Sequence, residues 1–351
     1  MSFVAHLHKA VSGAHLSAEE AFDAMLCVLT GEATTAQIAA FLVALRMKGE
    51  QSAELEGFAR AMRSKATRVP VAADGPVLVD TCGTGGDGGR TFNVSTVAAF
   101  VVAGAGLRVA KHGNRSLSSQ CGSADVLEAL GVAIQMDPAQ AAAAIDEIGF
   151  GFLFAPAVHP AMKHAQPARA ELKMRTAFNL LGPLTNPAGA AVQVIGAPSL
   201  VAAKLMAEAL HRIGGTRALV VHGFDGMDEI TTLAPTHLLE VREDEVRYRE
   251  FDPEQEAGIP RATARDLAGG GREENARIAR EVLEGQRGPK RDIVVLNAAA
   301  VLLTAGEAES WTEAITKSEA SIDTGEALSR LEKLTEFGLR MGAKQAISGQ
   351  P

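Results

Sequence analysis

The stretch Val77-Leu-Val-Asp-Thr-Cys-Gly-Thr-Gly-Gly-Asp-Gly-Gly89 decides the fold class of this chain. Three apolar residues enter a turn that holds five glycines in seven positions, and an apolar segment from Val94 to Ala105 follows. This order predicts a strand, a glycine loop and a buried helix, the unit from which helix-covered parallel sheets are built.

The glycine loop is also the first candidate binding element. Glycine permits positive φ and the close approach of a ligand, so backbone N–H groups can converge on phosphate oxygens beside the positive end of the following helix. The loop matches neither the P-loop pattern nor the dinucleotide pattern GxGxxG, so both of those nucleotide sites lose support. The alternative is a tight turn that only caps the helix, but such a turn needs one or two glycines.

Further apolar runs continue the same alternation along the chain. Between His237 and Phe251 two alternating runs flank a pair of acids and predict an antiparallel ribbon. The predicted fold class is α/β with a mainly parallel central sheet. Four more strands are predicted at Leu107–Ala110, Val192–Gly196, Ala218–Val221 and Ile293–Leu296.

Residues 1–70 predict short amphipathic helices and no strand. Ser17 and Glu20 form a capping box, and Thr35 and Ser52 are placed to cap the next two helices. Helices this short are marginal alone and must pack on the rest of the chain or on a second copy. We expect a homodimer through these helices, because their apolar stripe exceeds what one small helical layer can cover; it contains Phe41, Leu42 and Leu45.

Composition excludes several classes of function. The chain has 351 residues, 34 Lys+Arg against 42 Asp+Glu, a net charge of −8 and 4% aromatic residues, so a nucleic-acid surface is disfavoured and a small-molecule partner is expected. The longest apolar stretch, near Val97–Leu107, is too short to cross a bilayer, and polar residues near the start argue against a signal peptide, so we expect a cytoplasmic protein. Three cysteines without CxxC spacing argue against disulfides and a zinc site.

A second polar segment, Lys111-His-Gly-Asn-Arg-Ser116, stands at the exit of the second predicted strand. Open α/β sheets bind their ligands at the carboxyl ends of strands, and a cation beside an amide suits an anionic substrate. Alone, Lys111 or Arg115 would more often be a solvated surface charge. The glycine between them and the adjacent glycine loop favour a role in binding.

The third candidate is the adjacent acid pair Asp228 and Glu229, in a glycine loop after the strand predicted to end near Val221. Mg²⁺ prefers one or two carboxylates and takes its remaining oxygen ligands from phosphates and water. Most adjacent acids are solvated loop charges, but this position favours metal binding, with Ser95 as a further candidate ligand.

These motifs carry a resemblance to a known family. DTCGTGGD, NVST and KHGNRS, followed in order by GSADVLEALGV, HPAMKH, RTAFNLLGPLTNP, HGFDGMDE and LNAAA, resemble the anthranilate phosphoribosyltransferases of tryptophan biosynthesis over nearly the whole chain. The resemblance implies a fold of the nucleoside phosphorylase and phosphoribosyltransferase type. It places a helical domain at 1–70, with a returning segment near 169–187, beside an α/β domain at 75–168 and 188–351.

The resemblance also implies a reaction. Anthranilate and 5-phosphoribosyl-1-diphosphate would give N-(5-phosphoribosyl)anthranilate and diphosphate, with Mg²⁺. The amine of anthranilate is already neutral at pH 7, so no residue is assigned as a catalytic nucleophile. The residues expected to bind phosphoribosyl diphosphate and the adjoining substrate groups are Gly83, Thr84, Gly85, Gly86, Asp87, Thr91, Asn93, Ser95, Thr96, Lys111, Gly113 and Ser123.

For anthranilate, the resemblance assigns Arg169 to the carboxylate, which a planar guanidinium suits. An ion pair with Glu171 or another acid is the alternative for this arginine. The aromatic site would be lined by His112, Asn114, His159, Gly182 and Pro183, although either histidine could instead be a packed, hydrogen-bonded core residue.

The sequence departs from the family pattern at a few positions. Gln120 and Cys121 stand where a lysine and a serine are usual, which removes a cation near the predicted site, and Phe224 replaces a small or acidic residue. Cys82 lies in the glycine loop without a histidine to activate it, so we interpret it as a packing residue.

Two rival functions remain. A pyrimidine nucleoside phosphorylase shares the architecture, but the KHS segment that leads into its phosphate loop is absent here. A divergent relative that binds nucleic acid would need a basic surface, which a net charge of −8 does not favour.

Overall fold

The computed structural model describes residues 2–85, 91–116 and 120–348, with side chains described as far as Met341. Its central sheet has seven strands in the order β3-β2-β1-β4-β5-β6-β7, of which the first five are parallel and the last two antiparallel. The strands are β1 Leu78–Gly83, β2 Arg108–Gly113, β3 Phe150–Phe154, β4 Val192–Gly196, β5 Arg217–Gly223, β6 Thr236–Val241 and β7 Val246–Phe251.

Helices cover both faces of the sheet and form the N-terminal part of the chain. Short 3₁₀ turns lie at Pro160–His164 and Gly182–Thr185. The α-helices of the described residues are α1 Phe3–Val11, α2 Ala18–Thr30, α3 Thr35–Lys48, α4 Ser52–Lys65, α5 Val94–Gly104, α6 Ser123–Ala129, α7 Pro138–Ile148, α8 Ala155–Val158, α9 Gln166–Leu172, α10 Phe178–Leu181, α11 Leu200–Ile213, α12 Pro253–Ala257, α13 Arg272–Leu283, α14 Pro289–Ala305, α15 Trp311–Asp323 and α16 Glu326–Ser348.

Two hydrophobic cores hold these layers together. One packs the helices α5, α7, α13, α14, α15 and α16 against one face of the sheet. The other joins α1 to α4 with α9, α10 and α11, and continues onto the opposite face through β4, β5 and β6. The α/β class with a helical part and a mainly parallel sheet is confirmed.

The strand and the helix predicted on either side of the glycine loop are confirmed by β1 and α5, and the antiparallel ribbon by β6 and β7. The strand predicted at Ile293–Leu296 is wrong, because these residues lie inside α14. This helix is buried all round, and a short apolar run buried on every side has no periodicity that separates helix from strand. The prediction also missed β3, Phe150–Phe154, whose apolar run is equally ambiguous.

The helix caps are partly as predicted. The Ser17 hydroxyl accepts from the Glu20 N–H, completing a capping box. The third helix is capped by Thr34 with Gln37 rather than by Thr35, and Ser52 is the first residue of α4 rather than its cap.

The apolar stripe expected to form a dimer interface is already covered within one chain. Phe41, Leu42 and Leu45 are each 1% exposed, because α1, α4 and α9 cover the stripe within one chain. Large apolar side chains do remain exposed on these helices, namely Val4, Val11 and Met47.

Among the helices of the described residues, none combines the length and apolar character needed to cross a membrane.

Candidate active site

The candidate site lies at the topological switch point of the sheet, where strands are added on opposite sides of β1. The chain runs from β1 through β2 to β3 on one side of β1, and through β4 to β5 on the other. Loops that leave the carboxyl ends of β1 and β4 therefore diverge, and the crevice between them is the usual ligand site of such sheets. A separate cleft of about 1,070 Å³ contains none of the predicted site residues. It lies by Arg217 and Trp311, near the amino ends of β4 and β5.

The loop that carries Asp228 and Glu229, here called the acid loop, crosses this crevice. A Cβ at Gly196 would lie 1.6 Å from the backbone oxygen of Asp228, and a Cβ at Gly83 would lie 3.1 Å from its Oδ2 atom. Gly196 cannot carry a side chain unless the backbone at Asp228 moves, and at Gly83 the Asp228 carboxylate would have to shift slightly. The paired glycines at the ends of β1 and β4 thus let Asp228 approach the start of the glycine loop.

The two acids predicted to bind the metal differ in burial, but both face the site. Asp228 is 7% exposed, and the Thr84 hydroxyl lies 3.4 Å from its Oδ2 atom. Glu229 is half-buried and accepts the backbone N–H of Ser95 at 3.1 Å. The two acids therefore bridge the end of β1 and the first turn of α5.

A buried asparagine on α14 fixes the end of this acid loop. Asn297 accepts the N–H of Ile230 at 3.0 Å and donates to the carbonyl of the same residue at 2.9 Å. An amide can satisfy both backbone groups because it carries a donor and an acceptor. The LNAAA motif thus supports the residue next to Glu229, a contact that the incorrect strand prediction could not suggest.

The described part of the glycine loop is anchored on both sides. The Thr84 N–H donates to Gly196, and Gly85 adopts φ +64°, a conformation that favours glycine. Arg175 donates to the carbonyl oxygens of Thr84 and Gly85, at 3.0 Å each. Gly86 and Asp87, predicted to bind substrate, lie outside the described residues.

Lys111 lies beneath the glycine loop. It is 1% exposed, and its Nζ donates to the Thr81 carbonyl at 2.6 Å. Thr81 in turn donates its hydroxyl to the carbonyl of Ser95, at 2.9 Å. Burial lowers the pKa of Lys111. In this structure the lysine supports β1 and α5 from below.

The N-terminus of α5 is held by side-chain amides. Asn93 donates to the Cys121 carbonyl at 3.1 Å and accepts from the Asn275 side chain at 3.0 Å. Thr96 is buried in the same turn, 2% exposed. Thr91 forms an isolated bridge with Ala268. Asn275 was not predicted, since it lies far away in the sequence and belongs to none of the motifs.

The segment after β2 packs closely against α6. A Cβ at Gly113 would meet the Ser123 hydroxyl at 2.2 Å, and this hydroxyl lies 3.4 Å from the Asn114 carbonyl. Gly113, Asn114 and Ser123 are therefore neighbours, although Asn114 is assigned to anthranilate and the other two to phosphoribosyl diphosphate. Arg115 instead forms ion pairs with Asp125 and Glu128, at 2.9 and 2.8 Å.

His112 and His159 form a buried pair with ring centroids 5.0 Å apart. The Nδ1 atom of His112 lies 3.1 Å from the Gly182 carbonyl, which can only accept, so Nδ1 carries the hydrogen and Nε2 is an acceptor. Burial lowers the pKa of His112 to about 4 and that of His159 to about 3, so both rings are neutral at pH 7. Within residues 2–85, 91–116 and 120–348, neither buried Nε2 atom has a hydrogen-bond partner.

Arg169 on α9 is a half-buried cation. Its guanidinium lies over the Phe178 ring, 5.3 Å from the centroid, and burial lowers its pKa. No carboxylate of the described residues, Glu171 included, forms an ion pair with it. The expected alternative of a structural ion pair is therefore not present in the described part of the chain.

A buried polar network joins the 3₁₀ turn to the sheet beneath the site. Asp80 accepts from Asn186 at 2.9 Å and from the backbone of His112 at 3.2 Å, and burial raises its pKa. Gln193 donates to the Pro183 carbonyl at 2.9 Å. The network fixes Gly182 and Pro183 behind His112. Its members were not predicted as site residues, although three polar residues in apolar strands and turns are a signal.

The cysteines are not poised for nucleophilic chemistry. Burial raises the pKa of Cys82 well above its usual value and that of Cys121 to about 11, so both thiols stay protonated at pH 7. Gln120 is exposed. Phe224, the other departure from the family pattern, is 49% exposed and stacks on His237 with ring centroids 4.0 Å apart.

Two family models match most of the chain. The helical bundle domain of a glycosyl transferase family matches residues 4–66, and the α/β domain of the same family matches residues 75–328. Among curated relatives, the anthranilate phosphoribosyltransferase of Solibacter usitatus is 56% identical over 337 residues, covering 96% of this chain and 99% of the relative. That of Moorella thermoacetica is 54% identical, covering 95% and 97%.

Solved structures agree with these sequence matches. The anthranilate phosphoribosyltransferase of Thermus thermophilus superposes with a TM-score of 0.89 at 46% identity, covering 95% of this chain and 99% of that one. The Saccharomyces cerevisiae enzyme, solved in complex with PRPP and Mg, superposes with a TM-score of 0.88 at 29% identity, covering 96% and 98%. The chain described here therefore belongs to the anthranilate phosphoribosyltransferase family.

Proposed function

We propose that this enzyme transfers the 5-phosphoribosyl group of 5-phosphoribosyl-1-diphosphate to the amine of anthranilate, releasing diphosphate, as a step of tryptophan biosynthesis. Family membership over nearly the whole chain supports the reaction. The structural observation that carries it is Arg169, a half-buried guanidinium with no carboxylate partner among the described residues. A buried cation of this kind calls for an anionic ligand, and the carboxylate of anthranilate fits it.

The phosphoribosyl diphosphate is placed at the switch point between β1 and β4. Gly83, Thr84 and Gly85 would present backbone amides to it, with Gly86 and Asp87 continuing the loop. The N-terminus of α5, at Asn93, Ser95 and Thr96, adds the positive end of an eleven-residue helix. Thr91, Lys111, Gly113 and Ser123 complete the assignment. Because Lys111 donates to Thr81, we assign it to holding the loop from below.

Anthranilate is placed on the other side, between Arg169, Asn114, the histidine pair and the Gly182-Pro183 turn. His112 offers a neutral Nε2 acceptor. Such an acceptor can hold one N–H of the anthranilate amine while the lone pair of the amine nitrogen faces the ribose C1 atom. Bond breaking at C1 leaves an oxocarbenium-like ribose and a diphosphate anion. Preorganised amides and cations stabilise the charge of this leaving group.

The donor set of the acid loop fits Mg²⁺. Asp228 and Glu229 supply hard oxygen ligands beside the glycine loop and the start of α5. Ser95, the third proposed ligand, lies next to Glu229, to which its backbone N–H donates. Mg²⁺ typically binds through one or two carboxylates plus substrate phosphates. Bound there, the metal would neutralise the charge of the diphosphate. The yeast relative, solved in complex with PRPP and Mg, supports Mg²⁺ as the metal.

We also propose the domain division expected from the sequence, with a helical domain at 1–70 plus the segment near 169–187, and an α/β domain formed by 75–168 and 188–351. The packing of α3 on α9 and of α4 on α10 within one core supports the returning segment. The residue ranges of the two family models support the break near residue 70.

A homodimer through the N-terminal helices and a cytoplasmic location complete the proposal. Support for the dimer now comes from the neighbouring helices α1 and α3, which expose Val11 (66%) and Met47 (83%). Two copies that bury these side chains against each other would gain apolar contact area that a monomer leaves in water.

One set of assays tests the proposed reaction. Anthranilate fluorescence should change only when 5-phosphoribosyl-1-diphosphate and Mg²⁺ are both present, and the gene should rescue a tryptophan auxotroph lacking this step. Phosphorolysis of thymidine and a DNA gel shift test the two rivals. Phosphorolysis without anthranilate consumption would contradict the proposal.

A further inference from the structure

Arg175 lies on the connection between α9 and α10, outside every group of residues assigned above to a substrate. Its two terminal nitrogens donate to consecutive carbonyl oxygens, those of Thr84 and Gly85, at 3.0 Å each. It forms no ion pair with a carboxylate of the described residues. Within the described part of the chain its charge is therefore not neutralised by an acid, and its hydrogen bonds go to the loop that is proposed to hold diphosphate.

The two hydrogen bonds fix the direction of a peptide unit. In a trans peptide the C=O and the next N–H point in opposite directions. When the Thr84 carbonyl turns to Arg175, the Gly85 N–H points away from Arg175. A planar guanidinium suits such a paired arrangement, because its two terminal nitrogens donate side by side in one fixed plane, whereas an ammonium offers a single point of attachment.

The backbone that carries Arg175 is itself held in place. Lys173 adopts φ 48°, a left-handed conformation that is uncommon outside glycine, and its N–H donates to the Arg169 carbonyl at 3.3 Å. On the other side the Thr176 N–H donates to the Asn179 side chain at 2.9 Å. Arg175 is thus tied to the arginine assigned to anthranilate through the turn at Lys173, and to α10 through the Thr176–Asn179 hydrogen bond.

We propose that Arg175 is a positioning residue that holds the first peptide units of the glycine loop in the orientation that binds diphosphate. This proposal rests on the proposed function. Arg175 itself acts on the loop backbone, and its positive charge adds to the field that attracts the diphosphate. The segment that supplies Arg169 to one substrate thereby also orders the loop for the other.

The test compares Arg175→Lys and Arg175→Met with the wild-type enzyme. Two readouts are used: calorimetric binding of diphosphate with Mg²⁺, and steady-state kinetics with each substrate varied in turn. We expect Arg175→Met to weaken diphosphate binding and raise the KM for 5-phosphoribosyl-1-diphosphate by roughly ten- to a hundredfold, with the anthranilate KM changed less than about threefold. Added methylguanidinium should restore part of the loss.

Lysine separates charge from geometry. Arg175→Lys keeps the charge but not the two parallel donors, so we expect it to recover only part of the affinity. Full recovery by lysine would overturn the positioning role in favour of charge alone. Equal losses for both substrates with a lower Tm would overturn it in favour of a general structural brace.

Arg242→Met is a matched control, because it removes an arginine paired with Glu240 at the far end of the sheet. It should leave both readouts unchanged. A wild-type enzyme that consumes no anthranilate would defeat the proposed function, whereas the diphosphate calorimetry would still test Arg175 independently.

Discussion

Replacing Arg169 with alanine tests the anthranilate side of the site most directly. The guanidinium is half-buried, has no acidic partner among the described residues and stacks on Phe178 at 5.3 Å. Removing it should cost the charge-assisted contact to the substrate carboxylate, about 1.5–3 kcal/mol, or roughly ten- to a hundredfold in the anthranilate KM. The KM for 5-phosphoribosyl-1-diphosphate should change little.

The effect on stability separates substrate binding from a structural role. Losing the stack on Phe178 costs about 0.5–1 kcal/mol. Relief of the desolvation of an unpaired cation offsets this cost. The net change in the free energy of unfolding should therefore be close to zero. An arginine held in a buried ion pair would instead leave an unpaired acid behind and cost about 3–5 kcal/mol.

The assay follows anthranilate fluorescence with each substrate varied, together with urea unfolding. Arg60→Ala is the matched control, since it also removes a guanidinium stacked on a phenylalanine, Phe22 at 5.5 Å, but lies outside the predicted site. Arg169→Lys should be intermediate, because it keeps the charge without the planar donors. Equal increases in both KM values, or a large loss of stability, would refute the reasoning.

Three further predictions concern the metal, the histidine pair and the dimer. Asp228→Asn combined with Glu229→Gln should lower kcat roughly a hundredfold or more and move the Mg²⁺ dependence to higher concentration. Because Asp228 is buried, the free energy of unfolding must be measured for the same variant. An unchanged Mg²⁺ profile would contradict the assignment. The pKa values of His112 and His159, about 4 and about 3, lie below the unfolded value of 6.5, so unfolded chains bind protons first as the pH falls. Stability should then be retained above pH 6.5 and lost as the pH falls to about 4 through His112 and to about 3 through His159, by up to about 1.4 kcal/mol per pH unit for each ring. His112→Gln should reduce that slope in urea titrations. Met47→Glu should convert a dimer into a 36.6 kDa monomer in light scattering, and a monomeric wild-type chain would remove the dimer proposal.

The acid pair shows how much of a site can be inferred from a sequence: the position of its residues along the chain, but not their contacts. Asp228 and Glu229 follow a predicted strand, so their place at the carboxyl edge of the sheet could be inferred. Their contacts with Thr84 and Ser95 could not, because these contacts depend on which strands are neighbours in the sheet. The need for glycine at position 196 also depends on the fold, because a Cβ there would collide with the backbone of Asp228.

The sequence by itself determined the features that depend on nearby residues: the strand and the helix on either side of the glycine loop, the capping box at Ser17 and the ribbon after His237. Tertiary structure alone decided features that depend on distant partners. It made Ile293–Leu296 part of a helix and covered Phe41 within one chain. Periodicity and capping act over a few residues, whereas burial and charge pairing are set by whatever the fold brings alongside. For the same reason, only the fold revealed that Lys111 lies below the loop and that Arg175 holds it from the side.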